Sequence, residues 1–301
     1  MKHASSGHLT PAAAAACAGF VVCWTIGPIF IKQLSSVLDV WTQNAARYGV
    51  ACLFWLPLLV YARRQLTPTM LKKALIPAAF NIVMQSCWAG AFYYADPAFA
   101  VLLSRTSILW VSLFSLLFFA DERPLIKSKR FWAGSAAAIA GLAGVILCNP
   151  KLHLSGTWMG VAIALGASIT WAGYALSVKM VFREVDSKLS FSIITVYTVI
   201  GLTGLAFLLG RPAALTELSP KNMVILVISA VTAIAIAHVL FYAAIHRIGA
   251  TIPSMINLLT PFCVLLLSRV VFGEHLTGGQ WFFGLLLITG IALAVDVRRR
   301  M

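Results

Sequence analysis

From Pro11 onward the sequence keeps repeating one pattern, a long apolar run closed by proline, glycine or charge. A hydrocarbon core about 30 Å thick takes roughly 20 helical residues to cross. No water inside it can satisfy a backbone N–H or C=O, so a spanning run must be a helix or part of a closed barrel. These runs are too long for barrel strands and do not alternate, which leaves helices. Ten qualify, at about 11–34, 40–62, 71–94, 97–120, 130–149, 156–180, 189–210, 221–246, 249–273 and 278–297. Charged residues are 11% of the chain and hydrophobic ones 60%, against about 25% charged in soluble domains. The expected fold class is an all-α polytopic membrane protein with little chain left for a soluble domain.

The net charge of +14 would suggest nucleic acid in a soluble protein. Here basic residues gather at span ends, where the positive-inside rule accounts for them, and no nucleic-acid partner is expected. Of 23 Lys and Arg, Arg47, Arg105 and Arg269 lie within spans. Lys32, Lys151, Arg211 and Lys221 fall on one side, and the other sixteen share the side of the N-terminus. Both termini are therefore expected in the cytoplasm. The first apolar run continues past Phe30, too long for a signal peptide, and is read as a retained helix with Thr10 as cap and Pro11 in its first turn. The six cysteines show no metal or redox spacing, and neither a metal nor a cofactor is expected.

The chain also repeats itself. Trp24 precedes Lys32 by eight residues, as Trp171 precedes Lys179; Trp132 precedes Gly141 by nine, as Trp281 precedes Gly290. Gly249–Glu274 has a degraded copy at Ala98–Glu122. Aligning Glu122 with Glu274 sets Arg105 on Asn257 and Leu109 on Pro261. Five spans per half, an odd number, put the halves in opposite orientation. Two inverted five-helix repeats are expected, 1–150 and 151–301, with a site near the midplane between them.

Ten spans in two halves, the Trp-x7-Lys pair and apolar spans ending in Glu122 and in Gly273–Glu274 resemble the drug/metabolite transporter superfamily, EamA type. The resemblance covers nearly the whole chain. It implies an exporter of amino acids and related metabolites, and the Trp- and Tyr-rich spans look most like the bacterial aromatic amino-acid exporters (YddG type). The first copy departs from the pattern in lacking a proline around Leu109–Trp110.

Polar groups within spans are costly in lipid and mark an interior. Arg47 shares a helix face with Gln43, and Arg105 sits among Ser104, Thr106 and Ser107. Asn81, Gln85 and Trp88 form one stripe, and His238 pairs with Tyr242. Trp24, Trp88, Trp110 and Trp171 lie well inside their spans, with Tyr174 on the face of Trp171. Together with Asn257 these residues are the expected substrate contacts. Gly27, Pro28, Pro253 and Pro261 are the candidate hinge or gate positions. Lys32 and Lys179 end their helices as expected interface anchors. The cavity is expected between spans one, three, four, six, eight and nine, with Pro253, Asn257 and Pro261 facing Arg105 and Trp110.

Such a cavity suits a carboxylate-bearing aromatic or aliphatic molecule, since rings stack and Arg binds carboxylate bidentately. All nine acidic residues lie at span ends or in loops, which argues against carboxylate-based proton antiport and for facilitated export. No nucleotide or nucleophile motif appears, so no enzyme activity and no ATPase subunit are expected. The expected partners are an amino-acid substrate and the bilayer. Two alternatives remain open: an anionic metabolite such as a nucleotide sugar or organic phosphate and, more distantly, an integral-membrane lipid-modifying enzyme.

Overall fold

The structure, a computed structural model, describes residues 10–94, 97–149, 157–272 and 275–299. Glu274, Asp96 and Lys151 fall outside that set, as does the Lys32 side chain. The described residues form helices and connecting turns, with no strand among them. The spans are α1 (Pro11–Leu34), α2 (Val40–Tyr61), α3 (Pro68–Tyr94), α4 (Pro97–Ser104 and Ser107–Phe118), α5 (Lys129–Leu147), α6 (Trp158–Phe182), α7 (Ser187–Leu209), α8 (Pro220–Ile248), α9 (Thr251–Phe272) and α10 (Gly278–Arg299). Among the described residues nine are long and apolar enough to cross a membrane. The tenth, α9, is interrupted, and its apolar portion Thr251–Leu267 is shorter.

Helix starts are set by capping side chains that recur at a fixed interval. The Thr10 hydroxyl accepts the Ala13 N–H at 3.2 Å, and Thr157 accepts that of Gly160 at 3.1 Å. Asp39 accepts the N–H groups of Trp41 and Thr42 at the start of α2, and Asp186 those of Lys188 and Leu189 at the start of α7. Each cap satisfies amides that have no partner within the helix. Thr10 and Thr157 are 147 residues apart, as are Asp39 and Asp186, Trp24 and Trp171, and Lys32 and Lys179.

The main packing partners are α5 with α10, α2 with α7, α3 with α6 and α1 with α8. Advancing every helix by five positions returns the same set, as a two-fold relation between halves requires. The α5–α10 seam is the closest. A Cβ on Gly141 would lie 2.4 Å from the Leu287 nitrogen, and one on Gly290 2.4 Å from the Ala138 nitrogen. Both glycines are landmarks of the repeat, and the backbones meet there because neither carries a side chain.

Three spans are irregular. In α9, Pro261 has no N–H to offer the Asn257 carbonyl, which instead accepts from Thr260 in a 3₁₀ turn over Asn257–Leu259. The first copy lacks this proline, yet α4 breaks at Arg105–Thr106, the position aligned with Asn257. Hydroxyls take over there: Ser104 donates to the Val101 carbonyl at 2.7 Å and Thr106 to that of Leu103 at 2.6 Å, competing with the helical ladder. In α8 a π-helical turn spans Val231–Ile236. The Trp24 and Trp55 indoles donate to the Ala233 and Ala235 carbonyls at 3.0 and 2.9 Å.

Candidate functional site: a cavity between the halves

The three irregular turns converge on one space. An inner cavity of about 100 Å³ is lined by Trp24, Gly27, Pro28 and Ile31 of α1, Arg47 of α2, and Met84, Gln85 and Trp88 of α3. Ser104, Arg105 and Ser107 of α4, Ala167 and Trp171 of α6, Ala233, Ile234 and His238 of α8 and Asn257 of α9 complete it. Pro28, Ile31, Trp88 and Arg105 are shared with a larger space of about 450 Å³. That space reaches Ser35, Tyr93 and Asn149, at the helix ends remote from the described chain termini.

Aromatic rings form one wall. Trp24 lies 5.4 Å from Trp171 and 5.4 Å from His238, both edge-on, and Phe241 backs the two indoles at 5.2 Å from each. Such edge-to-face contacts fix ring orientation as well as burying area. Polar groups on this wall are left open. The Arg105 Nε, Trp171 Nε1 and His238 Nε2 atoms are buried with no hydrogen-bond partner among the described residues. Buried polar groups normally find one, and in this cavity a water or a ligand can supply it.

The expected contacts Trp24, Arg47, Gln85, Trp88, Arg105, Trp171, His238 and Asn257 are brought together, with Gly27 and Pro28; Pro261 lines the larger space. Arg47 does not snorkel. It is 4% exposed and its Nε donates to the Ser229 hydroxyl at 2.9 Å. Five residues lie elsewhere. Asn81 is fully buried between Tyr48 and Thr198, with hydrogen bonds of 3.2 Å to each. Tyr174 and Tyr242 hydrogen-bond to each other, and Tyr242 packs on Phe191 of α7. Trp110 pairs with Phe114 and lines neither space, and Pro253 is buried in the first turn of α9. Met84, Ile31, Ala167 and the α8 turn residues Ala233 and Ile234 were not expected; small and aliphatic side chains carry no signal that separates a cavity wall from a core. Spans two and five also contribute, through Arg47 and through Val145, Ile146 and Asn149.

A family model described as the EamA-like transporter family matches the sequence twice, over residues 12–147 and 158–295. The chain belongs to the EamA-like transporter family. Among curated proteins no sequence matches. A solved crystal structure, described in its title only as that of a protein, shares the fold: 15% identity, 96% of this chain and 98% of that one covered, TM-score 0.74. EamA-like membership makes this a multi-pass membrane transporter, and the two matches bracket the same cavity.

The end of this EamA-like bundle nearest the termini is closed by charge. Glu122 follows α4 and is fully buried. It accepts the Lys179 ammonium at 2.5 Å, the Ala250 and Thr251 N–H groups at 2.9 and 3.0 Å, and the Thr251 hydroxyl. Gly249 makes this approach possible. Its φ is +82°, and a Cβ there would stand 2.7 Å from the Glu122 carboxylate. Lys179 also donates to Asp121 at 2.8 Å and lies over the Phe119 ring at 4.2 Å. Partial burial works to raise the Asp121 pKa, but the hydrogen bond and charge of Lys179 hold it below the usual carboxylate value. Arg298 of α10 donates to the Asp121 carbonyl at 3.2 Å. Lys179, expected as an interface anchor, is thus a buried tie between α6, α4 and α9, because two acids near the end of α4 offer it a pair that lipid headgroups would have to better.

Proposed function

We propose that this chain exports amino acids, aromatic or large neutral, and related metabolites. It works in the inner (plasma) membrane, with both termini in the cytoplasm. The observation that carries this reading is the wall of Trp24, Trp171 and His238 beside Arg105, whose Nε has no partner among the described residues. An aromatic side chain stacks on the first group while its carboxylate pairs with the guanidinium. The charge bias of the loops supports the orientation. A cavity reaching one end of the bundle, with the Glu122 cluster closing the other, supports alternating access, this being the outward-facing arrangement. With no acidic side chain lining the cavity among the described residues, facilitated transport is the coupling mode proposed.

The test is counterflow in proteoliposomes holding the purified protein, with labelled tryptophan as tracer. Exchange with unlabelled aromatic amino acids supports the reading. Exchange with phosphate esters alone would replace it with transport of an organic phosphate, through Arg47 and Arg105.

A further inference from the structure

Two cations line the inner space, Arg47 and Arg105, and among the described residues no Asp or Glu lines it or the larger space. The ion pairs among the described residues are Arg130–Asp296, Lys179–Asp121 and Lys179–Glu122. The cation–π contacts there are Lys179 over Phe119 and Arg269 over Trp281. Neither cavity arginine belongs to any of them. A guanidinium stays charged throughout the physiological range, and a charge held away from water is costly unless an opposite charge meets it.

The two arginines are not placed alike. Arg105 lines both spaces, on the path to the open end, where the proposed substrate would set its carboxylate. Arg47 lines the inner space alone and is 4% exposed. Its Nε donates to the Ser229 hydroxyl at 2.9 Å, and that hydroxyl donates in turn to the Leu226 carbonyl at 3.2 Å. Ser229 therefore orients the guanidinium without bringing it negative charge. Among the described residues the two terminal nitrogens of Arg47 make no hydrogen bond. Gln85, Ser104 and Ser107 line the same space. Their oxygens can accept N–H groups from an arginine or from a substrate ammonium, but they are neutral. A zwitterionic amino acid does not change the balance, since its carboxylate arrives with an ammonium. The loaded cavity keeps both of the positive charges it had when empty.

We infer that Arg47 holds a small inorganic anion of its own, of halide size, while the substrate carboxylate goes to Arg105. This inference rests on the proposed export of amino acids, because it assigns the ion to the arginine that such a substrate leaves unpaired. A spherical monovalent ion imposes no geometry on its partners and takes charge-assisted hydrogen bonds from the guanidinium edge. The Trp171 N–H, which has no partner among the described residues, is a further donor lining the same space.

The closing experiment uses the full chain, with chloride as the probe and gluconate, a far larger anion, replacing it at equal ionic strength. The deciding readout is the melting temperature in detergent. Chloride is expected to raise it in a saturable way, as a ligand of the folded state must, and bromide to substitute for chloride. Arg47→Gln is expected to abolish the rise. Ser229→Ala, which only releases the guanidinium, should increase the chloride concentration giving half the rise at least threefold. A wild type that melts alike in both salts overturns the inference, and so does a rise that survives in Arg47→Gln. Should Arg47→Gln not fold, an unchanged chloride response in Ser229→Ala overturns it instead. Labelled-tryptophan counterflow in proteoliposomes, run in both salts, judges the export reading separately. Exchange without any chloride effect on melting leaves export standing and the anion site refuted; no exchange in either salt refutes export, while the melting temperatures still decide the site. Half-saturation by N-succinyltryptophan, a dicarboxylate, at least tenfold below tryptophan in gluconate also overturns the inference, because the anion of Arg47 would then belong to the cargo.

Discussion

The ammonium of Lys179 lies 2.5 Å from the carboxylate of Glu122, although 57 residues separate them and each closes a different helix. The pair is buried, so its two members are not independent. Breaking a buried pair by removing one partner strands the other charge and costs about 3–5 kcal/mol. Lys179→Met is therefore expected to lower the melting temperature in detergent sharply. Adding Glu122→Gln to it should recover part of the loss, because the neutral amide no longer demands a cation. Two single variants and a double whose losses simply add would show that the residues do not act as a pair.

Arg105 gives the opposite expectation. Its Nε has no hydrogen-bond partner among the described residues, so truncation removes little that holds the fold. Arg105→Ala should keep a near-native melting temperature while counterflow falls at least tenfold. Unchanged transport would place Arg105 in the scaffold.

At the α5–α10 seam a side chain has nowhere to go. A Cβ on Gly290 would stand 2.4 Å from backbone, and backbone does not step aside as a rotamer does. Overpacking typically costs about 1–3 kcal/mol. Gly290→Ala should destabilise by at least that much, whereas Gly204→Ala, with open space around the added methyl, should be close to neutral in the same thermal assay.

Asp39 supplies a pH test. Partial burial works to raise its pKa, but N–H groups of Thr42, Arg211 and Trp41, with the Thr42 hydroxyl, hold it below the ordinary aspartate value. A carboxyl lowered on folding contributes stability above its unfolded pKa, near 3.9, and that contribution is lost as pH falls through the folded value. Asp39→Ala should cost about 1 kcal/mol at neutral pH as a lost helix cap. Because it also removes one of the two acceptors of the Arg211 N–H, Asp39 at 2.9 Å, and leaves only the Thr42 hydroxyl at 3.0 Å, the connection after α7 should exchange its amides faster. The stability gap between wild type and the variant should close as pH falls below the aspartate range. A gap that persists there would assign the effect to packing.

Much of the fold is legible in the sequence because its cause is local. Length and hydropathy locate α1–α3, α5–α7 and α10, and the glycines at 141 and 290 mark the seam they form. The break in α4 is not legible. No proline announces it, and serine and threonine hydroxyls produce it only once the helix is already bent. For the candidate site, helical spacing puts Tyr174 beside Trp171, and the rings lie 6.0 Å apart; Tyr174 also lies about as close to His238 and Tyr242, which the spacing pairs on one face of α8. Spacing along one helix does not say which neighbour covers a face, and Phe191 of α7 packs on Tyr242. Lys179 is misjudged for a related reason: its acids come from another helix. Asp39 and Asp186, by contrast, form a repeat pair that the 147-residue interval of Trp24 and Trp171 could have revealed.

Among the described residues no carboxylate lines the cavity, and this bears on energetics. In such a carrier a coupled proton would have to ride on His238, and the membrane voltage offers another source of drive for export against accumulation outside. If the cargo carries a net negative charge while Arg47 and Arg105 stay with the protein, each transport cycle moves one charge through the membrane field. An interior negative by 100 mV expels that charge with about 2.3 kcal/mol, enough for a roughly fifty-fold outward gradient with no coupled ion. The direction of transport would then be fixed by the voltage of the cell, and clamping liposomes to zero potential would leave exchange intact while abolishing net accumulation.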